Sequence, residues 1–138
     1  NRNEIYFNHT YTKMTFLIID DNPTDRLIAR LTIQRKYDTA EIIEIECAQA
    51  GISWLVENSQ KKNVLILLDI RMPEIDGFGF LSLYEQLSDS LKEDKEIIMI
   101  SSTLDTIDIQ RAHDHKCVKE LLEKPLDLQK LIMVSELA

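Results

Sequence analysis

From residue 15 onward, short apolar runs alternate with stretches in which apolar side chains recur every three or four positions. The first run predicts a strand over 16–20. Asn22 then offers a side-chain oxygen for a helix N-cap, Pro23 suits the first helical position, and Asp25 adds negative charge at the positive end. Leu27, Ile28 and Leu31 are the expected inner face of that helix. Residues 42–45 read as a second strand, which Glu44 and Glu46 mark as nearest a sheet edge. A helix over 48–59 follows, with Ile52, Leu55 and Val56 turned inward. Residues 63–69 are an apolar run ending in a carboxylate, the pattern of a strand buried on both faces of a parallel sheet.

A third helix starts near Gly77 and is expected to bury Phe78, Leu81, Tyr84 or Leu83, and Leu87. The charged stretch 88–95 reads as an exposed connection. Residues 96–101 form a fourth strand, 106–115 a weaker helix and 118–122 a fifth strand. A last helix over 126–137 carries Leu128, Leu131 and Ile132 on one side. Five β-then-α units in a row imply right-handed crossovers and an α/β fold, a doubly wound (βα)5 parallel sheet. In such sheets a ligand sits beyond the carboxyl ends of the strands. Residues 1–13 lack apolar periodicity and are read as an N-terminal extension, with 14–138 as one domain.

Composition narrows the function. The charge is −8, from 16 basic and 24 acidic side chains, with no basic stripe, so no nucleic-acid partner is expected. The longest apolar runs, 64–68 and 97–100, are too short to cross a bilayer, and residues 1–13 do not read as a secretion signal. A cytoplasmic location without membrane contact is the expectation. Cys47 and Cys117 lack CxxC or CxxH spacing and read as plain thiols. His113 and His115, two apart on an expected helix, point differently and make a poor metal pair. Trp54 and the helix-three phenylalanines read as packing residues.

Four strands finish in chemically loaded residues: Asp20 and Asp21, Asp69, Ser101 and Ser102, and Lys124 just past the fifth. Carboxylates from separate loops resist ionising together unless something positive lies between them. A hard, oxygen-seeking cation, Mg²⁺ for choice, meets that need, and Lys124 adds a second positive charge.

The stretches IIDDNPTDR, LLDIRMPEIDGFGFL, IIMISS and LLEKPLDLQKL resemble, in that order, the motifs of the receiver domains of two-component response regulators. The resemblance covers about 14–137 and implies a flavodoxin-like receiver fold. It implies that Asp69 is the phosphoacceptor, assisted by Ser101 and Lys124. Asp20, Asp21, Asp69 and the backbone carbonyl of Arg71 would hold Mg²⁺, Asp20 through water. The Lys124–Pro125 bond would be cis.

The implied partners are a sensor histidine kinase or a histidine phosphotransfer protein. A downstream protein would dock on the face of the 106–115 helix, fifth strand and last helix, and homodimerisation stays open. On this reading the chain is not a conventional enzyme. A receiver cut from a longer regulator or hybrid kinase, and a pseudo-receiver without phosphorylation, are the alternatives.

Leu121 stands where receivers usually carry Tyr or Phe. Arg71 is expected to overhang the phosphoryl group and slow its hydrolysis. The 88–95 connection resembles that of small single-domain receivers, phytochrome-paired ones included. Two other classes fail on particular residues. A haloacid dehalogenase-type phosphatase needs a second Asp where Arg71 stands, and a flavin site needs a phosphate loop where the chain has DDNPTD.

Overall fold

A computed structural model describes residues 13–135. Strands β1 (Thr15–Ile19), β2 (Glu41–Ile45), β3 (Val64–Asp69), β4 (Lys95–Ser101) and β5 (Val118–Glu123) form one parallel sheet in the order β2-β1-β3-β4-β5. That is the flavodoxin-like order, which reverses between β1 and β3 and opens a crevice there. The helices are α1 (Pro23–Gln34), α2 (Ala48–Glu57), α3 (Gly77–Glu85), α4 (Asp89–Lys92), α5 (Thr106–Asp114) and α6 (Leu128–Val134).

Alternation along the central strands divides the core into two layers. Leu17, Ile19, Ile66, Leu68, Ile97 and Met99 meet α2, α3 and α5 through Leu55, Phe80, Leu81 and Ala112. Phe16, Ile18, Leu65, Leu67, Ile98 and Ile100 face α1 and α6 through Ala29, Ile33 and Leu131. All six residues of β3 are buried, whereas β2 lies at the sheet edge. Both follow the pattern read from the sequence.

Several expectations need correction. Leu27 and Leu31 are half exposed, and α1 buries Ala29, Thr32 and Ile33 instead. A stripe containing one small and one hydroxylated residue carries little hydropathy, so the larger leucines mark the wrong row. Val56 is likewise exposed, while Phe78 and Phe80 are buried packing residues as expected. The 88–95 connection contains α4, capped by the Ser88 hydroxyl, which accepts from Leu91 N at 3.3 Å, and Leu91 is buried. The α5 helix ends at Asp114, so His115 is its extended C-cap. The last helix stops at Val134, with Ser135 as its cap; the expectation for 136–137, and that for 1–12, lies outside the described residues.

Candidate functional site

The strands' carboxyl ends carry the candidate residues because each loop there is fixed by its own backbone. Asp20 follows β1; its backbone N–H donates to Ile45 O at 3.0 Å, and its Oδ1 accepts from Asn22 N at 2.9 Å. Asn22 in turn caps α1, accepting from Thr24 N and Asp25 N. Asp69 ends β3. Just beyond it, Ile70 N donates to Ile100 O at 3.1 Å and Gly77 N to Ile70 O at 2.8 Å, folding the loop back. A Cβ on Gly77 would lie 2.6 Å from the Asp69 carbonyl oxygen, so this turn requires glycine. Lys124 follows β5, its N–H donating to Ser101 O at 2.8 Å, and the Lys124–Pro125 bond is cis.

Lys124 gathers the site. Its Nζ lies 2.8 Å from Asp20 Oδ2, 2.8 Å from Asp25 Oδ2 and 3.2 Å from Asp69 Oδ1. Burial alone would lower its pKa, but close contacts with Asp20 and Asp25 and the charges of Asp69 and Asp20 outweigh that and raise it. Asp69 is pushed up to about 7, first by burial and then by the Asp20 charge, against the pull of Lys124 and an N–H from Arg71.

Carboxylate oxygens of Asp20, Asp21 and Asp69 lie within 4.8 Å of one another, Asp21 exposed and the other two buried. Asp20 Oδ2 touches Lys124 as an ion pair yet accepts no well-aligned hydrogen bond. Three carboxylates around one ammonium, with Asp21 beside two of them and burial making Asp69 resist ionising, suit a hard divalent cation. The residues present therefore fit Mg²⁺.

Two candidates are placed differently from expectation. The Ser101 hydroxyl is buried but turned to its own loop, donating to Thr103 O at 2.8 Å and accepting from Thr103 N at 3.2 Å. The Arg71 guanidinium is drawn away to α5. It pairs with Asp108, a buried carboxylate at the third helical position, and with Asp105, the N-cap, at 3.6 Å. The expected overhang of Arg71 across the phosphoryl position is thus not the arrangement found, because a buried acid claims the side chain.

Asp25 was read from sequence only as a helix-end charge, and its contact with Lys124 spans 99 residues. Arg26 was missed altogether: its Nη1 donates to the Asp20 carbonyl at 2.7 Å, and its Nε pairs with Glu44. The motif IIDDNPTDR contains both residues, but nothing in it says which way they turn.

Comparison with known proteins agrees with this geometry. Residues 16–136 match the family model described as response regulator receiver domain. The two-component response regulator ARR18 of Arabidopsis thaliana is 30% identical over 86% of this chain, and ORR21 of rice is 30% identical over the same share. The chain spans only 17% and 16% of those relatives' lengths.

Among solved structures, a response regulator receiver protein from Dyadobacter fermentans is 32% identical, with a TM-score of 0.79 over 86% of this chain and 91% of that one. A two-component response regulator from Cytophaga hutchinsonii is 25% identical, with a TM-score of 0.82 over 90% and 95%. The bacteriophytochrome response regulator AtBRR, at 18% identity and a TM-score of 0.73, shares the fold. With the family motifs at the ends of β1, β3, β4 and β5, and a family match over nearly all of its length, this chain belongs to the response regulator receiver domains of two-component systems.

Proposed function

We propose that this receiver accepts a phosphoryl group on Asp69 from a histidine kinase or phosphotransfer protein and uses it as a switch. The observation that carries the reading is Lys124 held against Asp20, Asp25 and Asp69 at the ends of three strands. A carboxylate oxygen of Asp69 attacks phosphorus in line. The phosphorus–oxygen bond forms as the phosphorus–nitrogen bond to the donor histidine breaks, and a proton already on that ring's other nitrogen lets it leave as neutral imidazole. Lys124, already inside the site, stabilises the charge that spreads over the equatorial oxygens.

Asp20, Asp21, Asp69 and the Arg71 carbonyl would hold Mg²⁺, which supplies further charge neutralisation. For the Ser101 hydroxyl to reach a phosphoryl oxygen it must release the Thr103 carbonyl. Phosphorylation then competes with a bond that shapes the β4–α5 loop, biasing an existing equilibrium.

Residues 14–138 act as the receiver unit, on the cytoplasmic side where the kinase works. A downstream protein reads the face of α5, β5 and α6, and the chain is a phosphoacceptor rather than a conventional enzyme. No helix among the described residues is long and apolar enough to cross a membrane.

Incubation with acetyl phosphate or phosphoramidate and Mg²⁺ tests the core of this. The protein should gain one phosphoryl mass, lost in Asp69→Asn and suppressed by chelator. An unmodified wild-type chain under conditions that phosphorylate another receiver would leave only an interaction module.

A further inference from the structure

At the opposite end of the strands three side chains of different chemistry meet. Glu85 is the last residue of α3, His115 caps the end of α5, and Cys117 lies just before β5. His115 Nδ1 is 2.7 Å from Glu85 Oε2, and Cys117 Sγ donates to the same oxygen at 3.7 Å. One ligand atom from each lies within 4.8 Å of the other two.

The local backbone builds this arrangement. His115 leaves the helix in an extended conformation, φ −97° and ψ 113°, and residues 116–117 then turn, which carries Cys117 back to the same Glu85 carboxylate. Val118 N donates to His115 O at 3.1 Å, closing a tight loop around the pair. The imidazole also lies against the Phe78 ring, 6.1 Å between centroids, and Arg111 covers that ring at 4.0 Å.

We infer that Glu85, His115 and Cys117 form a binding site for one thiophilic transition-metal ion of the Zn²⁺ class, with a fourth position open to water. The set of one sulfur, one imidazole nitrogen and one carboxylate oxygen selects such an ion over Mg²⁺, which wants oxygen alone. Metal–ligand bonds of about 2.0–2.3 Å place neighbouring tetrahedral ligand atoms roughly 3.4–3.8 Å apart. The Glu85–Cys117 pair already has that spacing, at 3.7 Å. The Glu85–His115 pair must open by roughly 0.7 Å on the same geometry, which a turn of the Glu85 side chain, 45% exposed, provides.

Burial, and then Glu85, push the Cys117 thiol up to about 11, so without metal it is protonated at neutral pH. Binding replaces that proton. The S–H bond breaks, the proton leaves to solvent, and sulfur bonds to the ion with no change of oxidation state. Lys92 does not compete for the carboxylate, since its Nζ donates to the Glu85 carbonyl at 3.0 Å.

This inference is independent of phosphorylation at Asp69. It is tested by titrating the full chain with Co²⁺ in saturating Mg²⁺, which fills hard-oxygen sites. Wild type should develop a thiolate-to-cobalt charge-transfer band that saturates at one equivalent and is displaced by Zn²⁺. Cys47→Ser should keep the band and Cys117→Ser should abolish it. Glu85→Gln and His115→Gln should each weaken binding tenfold or more, and Zn²⁺ should raise the melting temperature of wild type but not of Cys117→Ser. Absence of the band in wild type overturns the site. So does its loss in Cys47→Ser, or wild-type affinity in both the Glu85 and His115 variants, which keep the thiol whatever becomes of Cys117→Ser.

Discussion

At the scale of single residues, Asp69 is a buried acid of the crevice whose titration has a sign that can be worked out. Its folded pKa, about 7, stands above the ordinary 3.8 because burial and Asp20 disfavour the charge. The folded chain therefore binds this proton more tightly than the unfolded chain. Stability from this group is intact below about pH 4 and is lost as pH rises through 7.

Without divalent cation, Asp69→Asn should then be more stable than wild type at pH 8 by on the order of a few kcal/mol, with the gap closing toward pH 4. Excess Mg²⁺ should shrink the advantage at pH 8. Urea midpoints at several pH values, with chelator and with Mg²⁺, measure this; a gap that widens toward acid would refute the assigned cause. Asp108 makes a second residue-scale case. It is buried, and the Arg71 guanidinium is the cation that meets it. Arg71→Ala should cost about 1–3 kcal/mol by stranding a buried carboxylate, and adding Asp108→Asn should recover most of the loss. Additive losses in that double-mutant cycle would mean the pair does not interact.

Elements differ in how plainly the sequence announces them. β3 could be read directly because burial on both faces leaves no polar position to break the run. The loop after it could be read too, since Pro73, Asp76 and Gly77 are residue types with narrow backbone uses. Gly77→Ala should cost about 1–3 kcal/mol and lower the phosphorylation yield, because its Cβ meets backbone of Asp69 and Ile70. Gly79→Ala meets side chains alone, crowding Ile75 and touching Asp76, and should be milder; equal costs by denaturant unfolding would argue against the close approach. The inner face of α1 was illegible because Ala29 and Thr32 contribute little hydropathy. The end of α5 was missed by one residue, which placed His115 on the helix and hid its closeness to Cys117. The partners of Asp25 and Arg71 lie 99 and 37 residues away, and no local pattern encodes such contacts.

For the whole molecule, topology explains why the crevice could be anticipated while its details could not. The strand order brings the ends of β1, β3 and β5 close enough for one ammonium to touch acids from two of them. Which way each side chain turns depends on loops that the order leaves free. The sheet is also graded in burial. β3 is hydrogen-bonded on both sides, to β1 and β4, while the Ser101–Thr103 bonds belong to a short loop at the surface. Amides of 65–69 should exchange with deuterium only through global unfolding, and those of 102–105 orders of magnitude faster. Comparable protection in the two segments would contradict this grading. Asp69 therefore stands on the least yielding part of the architecture. On the proposed function, Asp69 is the fixed jaw of the crevice and the neighbouring loops are the ones that travel, so its partners come to it.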